Sequence, residues 1–158
     1  MALKAVLMAA GKSTRTYPLT LTRPKPLLTV ANKTILQHNL EQLKETGLFD
    51  DVVIIVGYKA EMIRQEFGKE FSGMKITYAE QKEQKGTGHA LLTAKDLLGG
   101  SDFIIMNGDD LFFAEDINKL ADEKYAALVQ KVSDPQKFGV YVVKKGIAQK
   151  LIEKPKEF

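Results

Sequence analysis

Apolar positions recur along the chain in two periods, one of strands and one of helices. Leu3-Lys4-Ala5-Val6-Leu7-Met8-Ala9 is a short apolar run closed by Gly11. It predicts a buried strand, although periodicity alone also admits a helix. Asp51-Val52-Val53-Ile54-Ile55-Val56-Gly57 is full of β-branched residues and is the clearest strand. Met74-Lys75-Ile76-Thr77-Tyr78 alternates like a strand, and Asp102-Phe103-Ile104-Ile105-Met106-Asn107 reads as another buried one. Ile35, Leu36, Leu40 and Leu43 share a helical face, with Asn32 or Thr34 as the cap and Gly47 as the end. Shorter helices are predicted from Ala60 to Phe67, Thr87 to Leu98 and Glu115 to Glu123. Ala126 to Val132, Phe138 to Val143 and Ala148 to Ile152 look like strands, the last two forming a hairpin around Lys145-Gly146. Between the first strand and the first helix, Pro18, Pro24 and Pro26 forbid a regular element.

Strand and helix alternate through most of the chain. That order predicts an α/β fold with a mostly parallel central sheet and helices on both faces. Ligands of such sheets sit beyond the carboxyl ends of the strands. Three segments fall there: the loop after Met8, the Gln81–Gly88 stretch, and Gly108-Asp109-Asp110.

Composition narrows the function classes. The 158 residues suffice for one domain with a real core, and 44% hydrophobic with 27% charged residues is ordinary for a globular protein. A net charge of +3 argues for neither a nucleic-acid nor a membrane partner, but suits an anionic small ligand. Without cysteine there is no disulfide framework, thiolate metal site or thiol nucleophile. The apolar runs are too short to span a bilayer. The first of them leads straight into Lys12 and Arg15, so it reads as a strand and not as a signal peptide, and a cytoplasmic location is expected.

The chemistry begins at Gly11-Lys12-Ser13-Thr14, which has the look of a P-loop ending. GxxxxGK[ST] needs a glycine where Val6 stands, inside the first strand, so the hydrolase cradle fails. The dinucleotide fingerprint fails too, since Gly11 is the turn's sole glycine. What survives is a turn of small residues offering amides and cations to phosphate. Taken alone, a plain tight turn with solvated basic residues explains it as well.

Residues 6–30 read VLMAAGKSTRTYPLTLTRPKPLLTV. This stretch resembles the signature of the sugar-1-phosphate nucleotidyltransferases, of the glucose-1-phosphate thymidylyl- and uridylyltransferase kind. Further motifs follow in the family's order: Gln81 five residues before Gly86-Thr87-Gly88, Asn107-Gly108-Asp109-Asp110, Phe138-Gly139-Val140, and Ile152-Glu153-Lys154-Pro155. The resemblance implies a Rossmann-like three-layer α/β/α fold. It implies transfer of a nucleotidyl group from a nucleoside triphosphate, UTP or dTTP by preference, to a sugar-1-phosphate, with release of pyrophosphate. No protein nucleophile is needed. Charge neutralisation and alignment are.

Residue roles carry over on the matching positions. Arg15 would hold the β- and γ-phosphates, and Lys25 would neutralise the α-phosphate; these are the expected catalytic residues. Ala9, Ala10, Gly11, Ser13 and Thr14 would cradle the phosphates. Gln81, Gly86 and Thr87 would read the base, although Thr87 also suits a helix cap. Asp109 would bind Mg²⁺, whereas Asp110 suits a turn or cap. Gly139, Glu153 and Lys154 would contact the sugar phosphate. His89 is expected near the site in a structural role.

Two departures qualify the resemblance. Ser13 stands where the family has glycine, so a positive φ there would carry strain. Family catalytic domains also continue past the Glu-Lys-Pro segment. The chain is therefore expected to be one nucleotidyltransferase domain, 1–158, cut short at its C-terminal end. Sheet edges bared by that loss would invite a homo-oligomer. The alternatives are a non-catalytic nucleotide- or nucleotide-sugar-binding module, a transferase using CTP with phosphocholine, or one using GTP with mannose-1-phosphate.

Overall fold

Strand β1 (Lys4–Ala9) is central because both of its faces are apolar. Ala5, Leu7 and Ala9 enter one buried cluster, while Val6 and Ala10 enter the other. A strand covered on both sides must read as a continuous apolar run. The computed structural model describes residues 3–156.

The chain forms two compact units, Met1–Ala126 and Ala127–Phe158. In the first, β1 lies between β4 (Asp51–Val56) and β7 (Phe103–Asn107), parallel to both. β6 (Met74–Glu80) continues the parallel set beyond β4, and two-residue β5 (Glu70–Phe71) closes that edge antiparallel. The order is β5-β6-β4-β1-β7. The chain thus builds outward from β1 on one side, then returns to add β7 on the other. That reversal is the switch point at which such sheets bind ligands.

Helices cover both faces. On one, α1 (Ile35–Thr46), α2 (Ala60–Phe67) and α5 (Ala114–Ala121) bury Leu36, Leu40, Leu43, Ile63 and Ile117 against Leu7, Ile54 and Met74. On the other, α3 (Thr87–Thr93) and α4 (Lys95–Leu98) bury Ala90, Ala94 and Leu98 against Val6, Val53 and Ile55. The expected three-layer α/β/α architecture is therefore present. No helix of the described residues is long and apolar enough to cross a membrane.

Thr34, not Asn32, caps α1: its hydroxyl accepts from Gln37 N at 3.2 Å. Asn32 lies in the turn between two-residue strands β2 (Thr29–Val30) and β3 (Lys33–Thr34), which the pattern did not reveal. The expected single helix from Thr87 to Leu98 is split. Thr93 Oγ1 donates to the Ala90 carbonyl at 2.7 Å, the oxygen that Ala94 N–H would use in a continuous helix. Ala94 N turns to Leu91 O instead, at 3.0 Å. β7, expected to be buried, alternates: Ile104 and Met106 are buried, but Phe103 and Ile105 are exposed at this edge of the sheet.

In the second unit β8 (Gly139–Lys144) and β9 (Ile147–Glu153) pair antiparallel, as expected. Lys145 and Gly146 turn between them with φ of 51° and 76°, the left-handed pair that a two-residue hairpin loop requires. The strand expected from Ala126 to Val132 is absent. A strand exists only through a ladder, and no described segment pairs with this one.

Candidate functional site at the switch point

The sheet register brings the strand ends level. Ala9 pairs with Val56, Val56 with Glu80, and Met8 with Asn107. The residues that follow, Ala10, Gly57, Gln81 and Gly108, therefore emerge along one edge. Two of them must be glycine. A Cβ on Gly57 would lie 2.8 Å from the Ala10 carbonyl oxygen and 3.1 Å from that of Gln81. A Cβ on Gly108 would lie 2.8 Å from the Met8 carbonyl oxygen. Glycine here lets three loops converge more closely than any side chain permits.

A cleft of about 230 Å³ opens between those loops. Its walls include Ala9, Ala10, Gly11 and Ser13 from the first loop, Gln81, Gly86 and Thr87 from the second, and Asp109 from the third. Met8, Pro26, Gln84, Ala90 and Asn107 complete it. Enclosed small-molecule sites measure about 300–1,000 Å³. A nucleotide would therefore fill this cleft and extend beyond it.

The first loop is held by one carbonyl. Ser13 O accepts from Thr16 N at 3.1 Å, Thr16 Oγ1 at 2.8 Å and Thr20 Oγ1 at 3.1 Å. Ser13 itself sits at φ 49°, ψ 52°, so serine does adopt the left-handed backbone of the glycine it replaces. The N–H groups of Gly11, Lys12 and Ser13 donate no hydrogen bond among the described residues. Unpaired amides on a loop just past a parallel strand suit an anion. Thr14 and Arg15 follow on a 3-10 turn, Thr14–Thr16, outside the cleft wall. Arg15 is exposed and makes no ion pair among the described residues.

In the second loop Gln81 is 4% exposed, an uncommon depth for a glutamine. Its backbone N donates to Val56 O at 2.8 Å, which seats it at the end of β4. Its Nε2 donates to Gly86 O at 3.0 Å and lies 3.2 Å from His89 Nδ1. Gln84 Nε2 donates to Ala10 O at 3.1 Å and ties this loop to the first. Thr87 is the first residue of α3, whose cap position is Gly86, so the cap expected of Thr87 is not there.

The third loop carries the ion pair. Lys25 Nζ meets Asp109 Oδ2 at 2.8 Å, with side chains 27% and 38% exposed. Lys25 lies in a 3-10 turn, Lys25–Leu27, entered from Pro24 in extended conformation. Prolines on either side stiffen its backbone. The Asp109 loop is fastened from behind: Gly108 N donates to Met8 O at 2.9 Å, and buried Asn39 of α1 donates to Asp110 O at 2.8 Å. Gln42 Oε1, also on α1, accepts from Ala114 N at 2.8 Å. The Asp110 carboxylate accepts from Asn107 Nδ2 at 2.9 Å, a turn role.

Among the described residues no three acidic, histidine or cysteine side chains gather as a metal nest. Asp109 lines the cleft and offers one carboxylate. One carboxylate fits Mg²⁺, which keeps several waters and takes one or two carboxylates plus phosphate oxygens, while the unpaired N–H groups suit only the phosphate.

Gly139, Glu153 and Lys154 belong to the second unit. Gly139 faces Glu153 across the hairpin, and a Cβ there would approach Glu153 Oε2 to 3.1 Å. Lys154 N donates to Phe138 O at 2.9 Å, with φ 46°. Both the Glu153 and Lys154 side chains are exposed.

Sequence reasoning missed Gln84, Asn107 and Asn39. Asn39 was within reach, since it lies on the Leu36, Leu40 and Leu43 face of α1, where a polar residue needs a reason. Gln84 stands in a polar loop and sends no such signal.

Known proteins share this sequence and fold. The chain is 42% identical to the UTP–glucose-1-phosphate uridylyltransferase AglF of Haloferax volcanii, over 98% of this chain and 66% of that protein. It is 38% identical to the bifunctional protein GlmU of Methanococcus maripaludis, over 97% of this chain and 36% of that protein. A crystal structure of a Bacillus anthracis protein assigned as a glucose-1-phosphate thymidylyltransferase superposes with a TM-score of 0.86 at 29% identity, covering 99% of this chain and 66% of that one. The chain thus spans just under two thirds of one curated relative and about a third of the other. A family model described as nucleotidyl transferase matches residues 4–158, and the chain belongs to that family.

Proposed function

We propose that these residues form the nucleotide-binding part of an enzyme that transfers a nucleotidyl group from UTP or dTTP to a sugar-1-phosphate. The observation that carries this reading is a cleft lined by Asp109, which pairs with Lys25, and by Gly11 and Ser13 of a loop whose amides are unpaired among the described residues. A cation, a carboxylate and bare N–H groups at a sheet's switch point meet the needs of a polyphosphate.

In the reaction a sugar-phosphate oxygen attacks the α-phosphorus. The bond from that phosphorus to the bridging oxygen breaks, and pyrophosphate leaves with its electrons. Two anions must approach each other, so the protein's main task is to lower their repulsion and align them. Lys25 would neutralise the α-phosphate. Ala9, Ala10, Gly11, Ser13 and Thr14 would lay their backbone along the β- and γ-phosphates, with exposed Arg15 free to join them. Gln81, Gly86 and Thr87 would hold the base. In the second unit Gly139, Glu153 and Lys154 would serve the sugar phosphate. Asp109 would hold Mg²⁺, which when bound supplies further charge neutralisation on phosphate oxygens. Lys25 then has a second task, keeping the Asp109 carboxylate in place before the ion arrives. This reading makes the chain part of one longer nucleotidyltransferase domain working in the cytoplasm.

The test is pyrophosphate release with Mg²⁺. Four nucleoside triphosphates are crossed with several sugar-1-phosphates, using this chain and its longest natural form. Release that needs both substrates and prefers UTP or dTTP is the expected result. UTP binding without release from either form refutes the transferase and leaves a binding module. Release with ATP or GTP alone refutes the pyrimidine choice.

A further inference from the structure

The buried Gln81 carboxamide is tethered in one orientation. Its Nε2 stands beside the Gly86 carbonyl at 3.0 Å and beside His89 Nδ1 at 3.2 Å. A carbonyl only accepts, so the NH₂ end of the amide must be the end that faces it. The second hydrogen of that NH₂ then meets His89 Nδ1. That nitrogen must be the bare one of the neutral ring, with the ring proton on Nε2. Turned over, the amide would set Oε1 against the Gly86 carbonyl and lose that hydrogen bond, and it would keep one to His89 only if the ring moved its proton to Nδ1.

With Nε2 committed, Oε1 is the amide atom left for a ligand. It makes no hydrogen bond among the described residues. Nor is it among the wholly buried side-chain atoms lacking a partner, and Gln81 lines the cleft.

We propose that His89 is a positioning residue: with the Gly86 carbonyl it holds Gln81 Oε1 as a fixed acceptor, so that the cleft selects uracil or thymine over cytosine. The inference rests on the nucleotide reading above. A freely turning glutamine does not discriminate these bases. Rotated one way it accepts from uracil N3–H, and rotated the other way it donates to the bare N3 of cytosine. Tethering removes the second option and sets oxygen against a bare nitrogen, a mismatch that costs cytosine about tenfold or more in affinity. Guanine also carries a ring N–H, so excluding purines is not the task of His89.

Calorimetric titration of UTP and CTP into the chain, His89→Leu and His89→Asn tests this. Leucine removes the acceptor, whereas the asparagine Oδ1 can replace Nδ1. The wild type is expected to prefer UTP by about tenfold or more. His89→Leu should lose most of that preference, and His89→Asn should recover it. In the unliganded chain, ¹⁵N NMR should find the His89 proton on Nε2. A folded His89→Leu variant with an unchanged UTP to CTP ratio overturns the proposal. So does a neutral ring protonated on Nδ1, a readout that survives even if the leucine variant fails to fold. A wild type that binds both nucleotides equally refutes this inference alone. One that binds neither refutes the nucleotide reading beneath it.

Discussion

Gly108→Ala puts the convergence of the strand ends to a quantitative test. The new Cβ would stand 2.8 Å from the Met8 carbonyl oxygen, 3.2 Å from its carbon and 3.3 Å from the Ala9 Cβ. None of these can swing away, because Met8 and Ala9 are fixed in the central strand. Relief requires the Asp109 loop to retreat by a few tenths of an ångström from β1. That stretches the 2.9 Å bond from Gly108 N to Met8 O and drags Asp109 off its 2.8 Å contact with Lys25. Overpacking costs about 1–3 kcal/mol, and the weakened hydrogen bond up to about 1 more. Alanine's stiffer unfolded chain returns about 0.4–1 kcal/mol. The net loss is about 1–3 kcal/mol, or roughly 2–12 °C in Tm for a chain of this size. Gly88→Ala is the control. Gly88 lies in α3 at ordinary φ, with nothing within 4 Å of its would-be Cβ. There alanine should raise stability by up to about 1 kcal/mol. Thermal unfolding followed by circular dichroism reads both variants, and titration of UTP reads the cleft. A Gly108→Ala protein that melts with the wild type and binds UTP equally would refute the close-approach argument.

Lys25→Met should leave Tm almost unchanged, since a pair this exposed contributes less than about 1 kcal/mol. Pyrophosphate release from the longest natural form should still fall by about 10²-fold or more, so equal release in the variant would remove Lys25 from the chemistry. Asn39→Ala should cost about 1–3 kcal/mol in chemical denaturation, because it leaves the Asp110 carbonyl unpaired behind the site. Ser13→Gly relieves left-handed strain of about 1–2 kcal/mol but adds about 0.4–1 kcal/mol of unfolded-state entropy. Denaturation should show a gain of at most about 1.6 kcal/mol, while a clear loss would mean that the serine side chain itself holds the turn.

Where the apolar pattern is strong, the fold is legible from the residues alone. β4, α1 and α2 carry their period and their end signals in their own residues, so local physics suffices. The Thr87–Leu98 segment failed because its break depends on a Thr93 hydroxyl competing for one carbonyl, which no period shows. Ala126–Val132 failed because β-branched residues report only a preference, and the ladder that realises it must come from elsewhere. The site was legible as segments. Val6 inside the strand already excluded a P-loop, and its full burial in β1 agrees.

What the sequence alone determined was the kind of fold, the family, and which loops end parallel strands. Those follow from periodicity and from motifs that are local in the chain. Only the tertiary structure decided how the loops meet. Register aligns Ala10, Gln81 and Gly108 along one edge, and Gly57 and Gly108 let them close. The same packing pairs Lys25 with Asp109, residues far apart in sequence whose contact arises only when the sheet assembles. His89 meets Gln81 within one segment, but the depth that seats Gln81 comes from its bond to Val56 at the end of β4.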